Sequence, residues 1–438
     1  MSVASIVIVG AGLAGLCCGW RLQRAGFDVE ILERAQRSGG RLSCEQVDGY
    51  LLERDSAFFT SRDRNLHSMF DHLDLASLVQ TEERYPDALV RVGEFAALRP
   101  NEDSLLFRSK LISPMASLRL LRLGFERKRF RGPLAAADSD AIAGLEAQDL
   151  ASYLDRIIGE KVRDQIFLPY LSAALELDAE NLSATYLHLL IDRAAGARPQ
   201  YLIGGMAQLT ALLARGLSIR HGCEVTSIET QDDGARLLYR AGERHGSVAA
   251  NAVVVAVPGC EVADLCPKLT PDERGFFEGV RYARGVVAHL LFDEAPSFPY
   301  RSVAFSRREG FGLYAVQASH HKRGTAPRGA GLLRASLTES ASERFARASD
   351  AEVSAAVLDD LNSTPFGTLS PRRVVVHRAK ASSPVFYPGY LPSLQRFAER
   401  SRRSPRIAYC GDYQVGSGAE AALTSGMRAA SQIAHEFG

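Results

Sequence analysis

Lysine is scarce in this chain of 438 residues. Among its 52 basic residues only Lys110, Lys128, Lys161, Lys268, Lys322 and Lys380 are lysines, and 51 acids bring the formal net charge to +1. Arginine carries nearly all the positive charge without an excess, so no global field favours nucleic acid or a membrane, and no nucleic-acid partner is expected. Tryptophan occurs once, as Trp20. The seven cysteines (Cys17, Cys18, Cys44, Cys223, Cys260, Cys266, Cys410) are odd in number and include no Cys-x-x-Cys pair or Cys/His cluster. That pattern argues against a disulfide framework and a metal site, and predicts reduced thiols in a cytoplasmic protein. No apolar run reaches the about 18 residues that a transmembrane helix needs. The apolar N-terminus lacks a basic leader region and is broken by Gly10, Gly12 and Gly15, so it reads as a strand and turn and not as a signal peptide.

What is present is an ordinary soluble composition, 46% hydrophobic and 24% charged, on a chain long enough for two or three domains. Ser5-Ile-Val-Ile-Val9 is a continuous β-branched run, the mark of a strand buried on both faces of a parallel sheet. A helical pattern over 13–25 follows, Gly26 ends it, and Val29-Glu-Ile-Leu32 makes a second strand. Periodicity predicts helices over 65–78, 149–175, 183–193, 206–215 and 350–361. Strands are expected at 218–220, 224–229, 235–239 and 252–257, with the alternation over 218–257 suggesting a meander lying against the sheet. Further strands are expected at 286–292, 332–337 and 373–377. Residues 406–438 read as strand, glycine-rich turn and long helix.

The expected architecture is therefore α/β: a Rossmann-like dinucleotide-binding domain built discontinuously from 1–80, 204–265 and 396–438. It carries a helical subdomain at 81–203 and an inserted mixed-sheet substrate domain at 266–395.

Three motifs carry the chemistry. Gly10-Ala11-Gly12-Leu13-Ala14-Gly15 follows the first strand and opens the first helix. Gly10 permits the tight turn, Gly12 lets a pyrophosphate reach the backbone, and Gly15 allows close helix–sheet packing. Glu33, at the end of the second strand, is placed to accept hydrogen bonds from ribose hydroxyls, with Arg34 beside it. The second motif, Ser38-Gly39-Gly40-Arg41-Leu42, separates FAD from a simple nicotinamide cofactor. A cationic, glycine-lined turn here can neutralise the pyrophosphate of a dinucleotide buried along its whole length. The third is Gly411-Asp412 followed by Gly416-Ser-Gly418-Ala419-Glu420. There Asp412 could bond the ribityl chain or a water linked to the pyrophosphate, and the helix opening near Glu420 could aim its positive end at the flavin pyrimidine.

These motifs, with Val225 in the strand that usually meets the adenine and Val257 closing the hydrophobic strand, resemble the flavin amine oxidase superfamily, which includes monoamine oxidases, carotenoid desaturases and protoporphyrinogen oxidases. The protoporphyrinogen oxidase branch is the most similar. Glu53-Arg54-Asp55-Ser56-Ala57-Phe58 resembles its Glu-x-Gly-Pro-x-Ser segment beside the flavin. Leu182-Ser183-Ala184 resembles its Leu-Ser-Ala, and Pro384 with Gly389-Tyr390 its Pro and Gly-His. The resemblance implies FAD as cofactor, Ala57 and Phe58 beside it, hydride removal from a cyclic, partly reduced substrate, and dioxygen as electron acceptor. Phe58, Tyr387 and Tyr390 are the substrate-pocket candidates, and no catalytic acid or base is assigned.

Departures limit what carries over. Asp55 and Ser56 replace Gly-Pro, Glu420 replaces Pro, and Tyr390 replaces His. The lysine of the amine-oxidase branch falls at Val287, and Trp20 lies in the nucleotide-binding helix and not in an amine-aligning cage; both points argue against an amine substrate. A secondary-metabolite oxidase or desaturase and a flavin amine oxidase remain the enzymatic alternatives. A redox-silent escort-type binding protein is the remote one, opposed by the joint presence of Glu33, Arg41 and Asp412. Finally, residues 108–131 interleave Arg119, Arg122, Arg127, Lys128, Arg129 and Arg131 with Leu118, Leu120, Leu121, Leu123, Phe125 and Phe130. Such a segment either lies on the anionic surface of the inner membrane or is an amphipathic helix with a solvated basic face.

Overall fold

A computed structural model describes residues 3–54, 58–82, 84–91, 94–98, 114–136, 139–231, 233–400 and 404–438. The β-branched run at the start forms the Ser5–Val9 strand at the centre of a parallel sheet. Its neighbours run in the order Ser218–His221, Asp28–Glu33, Ser5–Val9, Ala252–Val255, Ile407–Tyr409. Ile6, Ile8, Ile31, Ala252 and Val254 lie on one face under the Leu13–Arg24 and Ala419–Phe437 helices, while Val7, Val9, Val253 and Val255 face the other core. Fully burying an Ile or Val contributes about 1.5–3 kcal/mol, so this strand set, buried on both faces, contributes strongly to stability. The two helices meet without intervening side chains: a Cβ added at Gly426 would lie 2.3 Å from the Ala14 carbonyl oxygen.

The expected meander is narrower than 218–257. Glu224–Thr230, Ala235–Ala241 and Arg244–Ala250 form an antiparallel three-stranded sheet, whereas the strands on either side of it join the parallel sheet.

A second, mixed sheet carries the strands in the order Arg373–Ala379, Gly285–Phe292, Gly331–Leu337, Leu313–Ala318, Ser302–Ala304, Asp87–Arg91, Glu94–Leu98. One face packs Leu333, Ala335 and Leu337 against Val353, Val357 and Leu361. Those last three belong to the Asp350–Asn362 helix, whose first turn is fixed by a capping box between Ser349 and Glu352. The opposite face carries polar groups, Arg334 and His289 among them. Asp87–Arg91 and Glu94–Leu98 fall within the stretch read as helical insert; they are strands because Ser302–Ala304 pairs with Asp87–Leu89 in parallel.

Most of the described residues within 114–194 are helical, but the single helix expected over 149–175 is broken. Asp149 caps Leu150–Ile158 by accepting from the Ser152 amide at 2.8 Å. Gly159 then turns the chain at φ 85°, and Glu160–Val162, a π turn at Arg163–Phe167 and Leu168–Leu175 follow. The helix expected over 65–78 ends at His72, and Val79–Thr81 is a strand.

Candidate cofactor-binding site

The site is assembled where the parallel strands end. Gly10 leaves the first strand at φ 106°, and its missing Cβ matters because an added one would lie 2.8 Å from the Ala256 carbonyl oxygen and 3.7 Å from Val257. Gly15 is equally constrained: a Cβ there would fall 2.1 Å from the Gly10 carbonyl oxygen.

Gly12 is different. Its φ of −73° and ψ of 175° suit any residue, and a Cβ added there would meet nothing within 4 Å. Neither backbone strain nor protein packing accounts for glycine at this position, and the open backbone leaves room for a ligand to lie against it. Gly12 opens the Leu13–Arg24 helix, whose first turn holds no acidic residue and no side-chain cap. The free amides and positive dipole end there suit a phosphate. The second glycine turn crosses this loop, with the Gly39 amide donating to the Ala11 carbonyl at 2.8 Å and Gly12 bridging Gly39. Gly40, at φ 53°, leads into the short Gly40–Leu42 turn that presents Arg41.

Glu33 is 9% exposed, and its two carboxylate oxygens accept from the amides of Ala11 at 2.6 Å and Ala35 at 2.7 Å. It braces the first glycine loop, and each oxygen keeps a further lone pair for a ribose hydroxyl. Arg34 is turned away, paired with Glu261 at 2.8 Å. Val225 is buried in the core next to the sheet.

The far end of the chain closes the site. Asp412 is 2% exposed and accepts from Arg41 Nη2 at 2.6 Å, from the Tyr282 hydroxyl at 2.7 Å and from the Tyr413 amide at 3.1 Å. The other Arg41 arm donates to the Ser382 carbonyl. Burial, and then the adjacent Asp412 charge, raise the Tyr282 phenol well above its ordinary range, so it remains a neutral donor. Gly411 donates to Ser425 Oγ at 2.9 Å, fixing the turn onto the last helix. Gly418, at φ 96°, opens that helix toward space with no protein atom within 4 Å of an added Cβ, and Ala419 is half-buried beside it. Glu420 points sideways, accepting from the Asn65 and Leu66 amides at 3.1 and 2.8 Å. Glu33 thus ends one strand of the parallel sheet, Asp412 follows another, and Arg41 reaches Asp412 from the short Gly40–Leu42 turn.

The substrate candidates separate. Phe58 is half-buried, with the Arg301 guanidinium 5.4 Å and the Lys322 ammonium 5.2 Å from its ring centroid. Tyr390 is 2% exposed and donates to the Tyr413 carbonyl at 2.9 Å, while Tyr387 donates to the Gly279 carbonyl at 2.7 Å under Arg281. Both hydroxyls donate to backbone carbonyls, Tyr390 to the Asp412 turn and Tyr387 to the end of the Pro271–Gly279 helix. Ala57, with Asp55 and Ser56, lies outside the described residues. Sequence reasoning missed Tyr282, Ser382 and Tyr186, whose hydroxyl accepts from the Ser417 amide at 2.9 Å; isolated tyrosines and a backbone carbonyl leave no motif. A cavity of about 800 Å³ is bordered by Glu146, Thr185, Leu391, Phe397 and Gln432, and Gly389 also lines it.

The geometry fits FAD: two glycine turns crossing at an uncapped helix start, an acid at the second strand, and a second open helix start after an Arg–Asp pair whose acid is buried. Residues 13–434 match the family described as flavin containing amine oxidoreductase. Coproporphyrinogen III oxidase of Bacillus subtilis is 23% identical, the match spanning 95% of this chain and 93% of that protein. Among solved structures, a protein of Exiguobacterium sp. 255-15 provisionally titled a protoporphyrinogen oxidase is similar with a TM-score of 0.79 at 22% identity, over 100% of both chains. Cyclohexylamine oxidase from Brevibacterium oxydans has a TM-score of 0.77 at 19% identity, over 99% of both.

Proposed function

Since this chain belongs to the flavin containing amine oxidoreductase family and is an FAD-dependent oxidoreductase, we propose that it removes hydride from a cyclic, partly reduced substrate of the porphyrinogen type, with dioxygen as electron acceptor. The observation that carries the cofactor site is Gly12, a glycine that the protein itself does not require, facing open space at an uncapped helix start. Similarity to the coproporphyrinogen oxidases over nearly the whole chain supports the substrate class.

Bound FAD supplies the hydride acceptor, and the protein supplies orientation and electrostatics. In this reading Gly12, Gly39, Gly40 and Arg41 hold the pyrophosphate and Glu33 the ribose. Val225 and Val257 border the adenine, Asp412 takes the ribityl side, and Gly418 and Ala419 present the helix start to the pyrimidine. Phe58 forms the wall shared with the substrate. No described side chain is given the role of acid or base.

The test is peroxide release in air from the purified, FAD-loaded protein. Release with coproporphyrinogen or protoporphyrinogen and none with amines supports the proposal; release with primary or secondary amines alone replaces it with the amine oxidase reading, which the cyclohexylamine oxidase fold also accommodates.

Among the described residues no helix is long and apolar enough to cross a membrane. Peripheral contact has a specific support. The Pro114–Ala135 helix buries Leu120, Leu123 and Phe130 yet exposes Leu118, Leu121 and Phe125 to 59%, 46% and 69%. Exposed Arg119, Arg122, Lys128, Arg129 and Arg131 share that helix, and an apolar stripe with flanking cations suits an anionic lipid surface on the cytoplasmic side. Residues 108–113 of the patch lie outside the described residues.

A further inference from the structure

Lys322 and Glu53 form an ion pair withdrawn from water, 3% and 9% exposed at their side chains. Glu53 is held from several directions. Its carboxylate also accepts from the Met206 amide at 3.2 Å, and its carbonyl pairs with His289 Nε2 at 3.0 Å. The next carbonyl, of Arg54, accepts from Arg334 Nη2 at 3.2 Å, and Arg334, itself 1% exposed, is paired with Glu176. Burial holds the His289 imidazole well below its ordinary range, leaving it a neutral partner for the Glu53 carbonyl.

These contacts hold Glu53 and Arg54 in place beside the cofactor-site elements. Met206 opens the Ala207–Ala214 helix, and Thr210 of that helix lies against Gly39, where an added Cβ would be 3.0 Å from its Oγ1. Phe58 turns its ring to Lys322, and the amides of Asn65 and Leu66 are bound by Glu420, close to Gly418. Glu53 is therefore tied to the helix that lies on the Gly39 turn, and Asn65 and Leu66 to the last helix start. Glu53 and Arg54 are registered to the substrate sheet by His289 and Arg334.

We propose that Lys322 is a positioning residue for FAD: it is the counter-charge that allows the Glu53 carboxylate to be buried as an anion. It thereby holds the Phe58 wall in place and keeps an uncompensated negative charge away from the cofactor. A buried carboxylate stripped of its partner is costly, whereas removing both charges together is far less so. The proposal rests on the FAD reading and goes further by naming a residue that touches neither glycine motif.

The experiment compares wild type, Lys322→Met, Lys322→Arg and the double variant Glu53→Gln/Lys322→Met. FAD affinity is read by flavin fluorescence and the midpoint potential of the bound flavin by dye equilibration. Lys322→Met is expected to weaken FAD binding by about tenfold or more and to lower the potential, with Lys322→Arg intermediate. The double variant is expected to return to within about threefold of wild type. Should Lys322→Met fail to fold, the double variant carries the test, since relief of the unpaired charge restores both folding and FAD uptake. Wild-type affinity and potential in Lys322→Met, or a double variant no better than the single one, overturns the proposal alone. A wild-type chain that takes up no FAD overturns the cofactor reading and this proposal with it.

Discussion

The guanidinium of Arg41 meets the carboxylate of Asp412 at 2.6 Å across 371 positions of sequence. This contact joins the turn after the second strand to the turn before the last helix, so that the two ends of the chain make one site. Arg41 is partly open, with 33% of its side chain exposed, while Asp412 is closed to water at 2%. The acid therefore depends on the base more than the base on the acid.

Arg41→Met leaves Asp412 with only the Tyr282 hydroxyl and the Tyr413 amide. The expected loss is about 2 kcal/mol of stability, discounted for the exposure of Arg41, with FAD affinity weakened by about tenfold. Adding Asp412→Asn removes the buried charge and recovers most of the stability but not the affinity. Thermal unfolding and flavin fluorescence titration of both variants check the two halves separately.

The glycines separate packing from ligand contact. Gly426→Ala forces a Cβ to within 2.3 Å of the Ala14 carbonyl oxygen, which calls for a loss of about 2–3 kcal/mol in the FAD-free protein. Gly12→Ala meets no protein atom within 4 Å, so the FAD-free protein keeps its stability to within about 0.5 kcal/mol while FAD affinity collapses. Denaturant unfolding without FAD, beside FAD titration, distinguishes the outcomes. A destabilised Gly12→Ala with normal affinity contradicts the role given to Gly12.

Much of this site was legible because its elements are local. The strand–turn–helix–strand at 5–33 needs only the β-branched run, Gly10 to Gly15 and Glu33, all within one supersecondary unit. What was not legible depends on partners far along the chain. Asp87–Arg91 is a strand because it pairs with Ser302–Ala304, and nothing within 87–91 announces that. The Ser218–His221 strand alternates like its neighbours and Ala252–Val255 is a continuous apolar run, yet parallel pairing draws both out of the meander. Apolar spacing continues across Gly159 as if the helix did, and only the backbone reveals the positive φ of 85°. Lys322 finds Glu53 across 269 positions, and a single lysine in a loop carries no pattern.

Acid sensitivity follows from buried neutral histidines. His188 accepts or donates at 2.8 Å with the Tyr153 hydroxyl, and burial lowers its imidazole to about 4. His321, stacked on Tyr85, is lowered to about 3 by burial and by the neighbouring His320 and Arg84. In the unfolded chain both titrate near about 6.5, so between there and the folded values the unfolded state binds more protons. Stability is fully present above about 6.5 and falls as pH drops toward 4, by about 1.4 kcal/mol per pH unit for each histidine. His188→Gln is expected to remove one proton from that slope, measured by denaturant unfolding across the window; an unchanged slope contradicts the assignment.

The exposed stripe on the Pro114–Ala135 helix makes a separate prediction. Wild type is expected to sediment with vesicles containing anionic lipid, less so as salt rises, and Leu118→Ser/Leu121→Ser/Phe125→Ser is expected to remain in the supernatant. Peroxide release by the variant with a soluble substrate should match wild type, since the three side chains are at the surface. Equal sedimentation of variant and wild type contradicts membrane docking through this face.

The most direct test is anaerobic mixing of the FAD-loaded protein with coproporphyrinogen while the yellow flavin band is followed. The account predicts bleaching of that band as the porphyrinogen is oxidised, and return of the colour when air is admitted. Bleaching by amines with none by any porphyrinogen would contradict it.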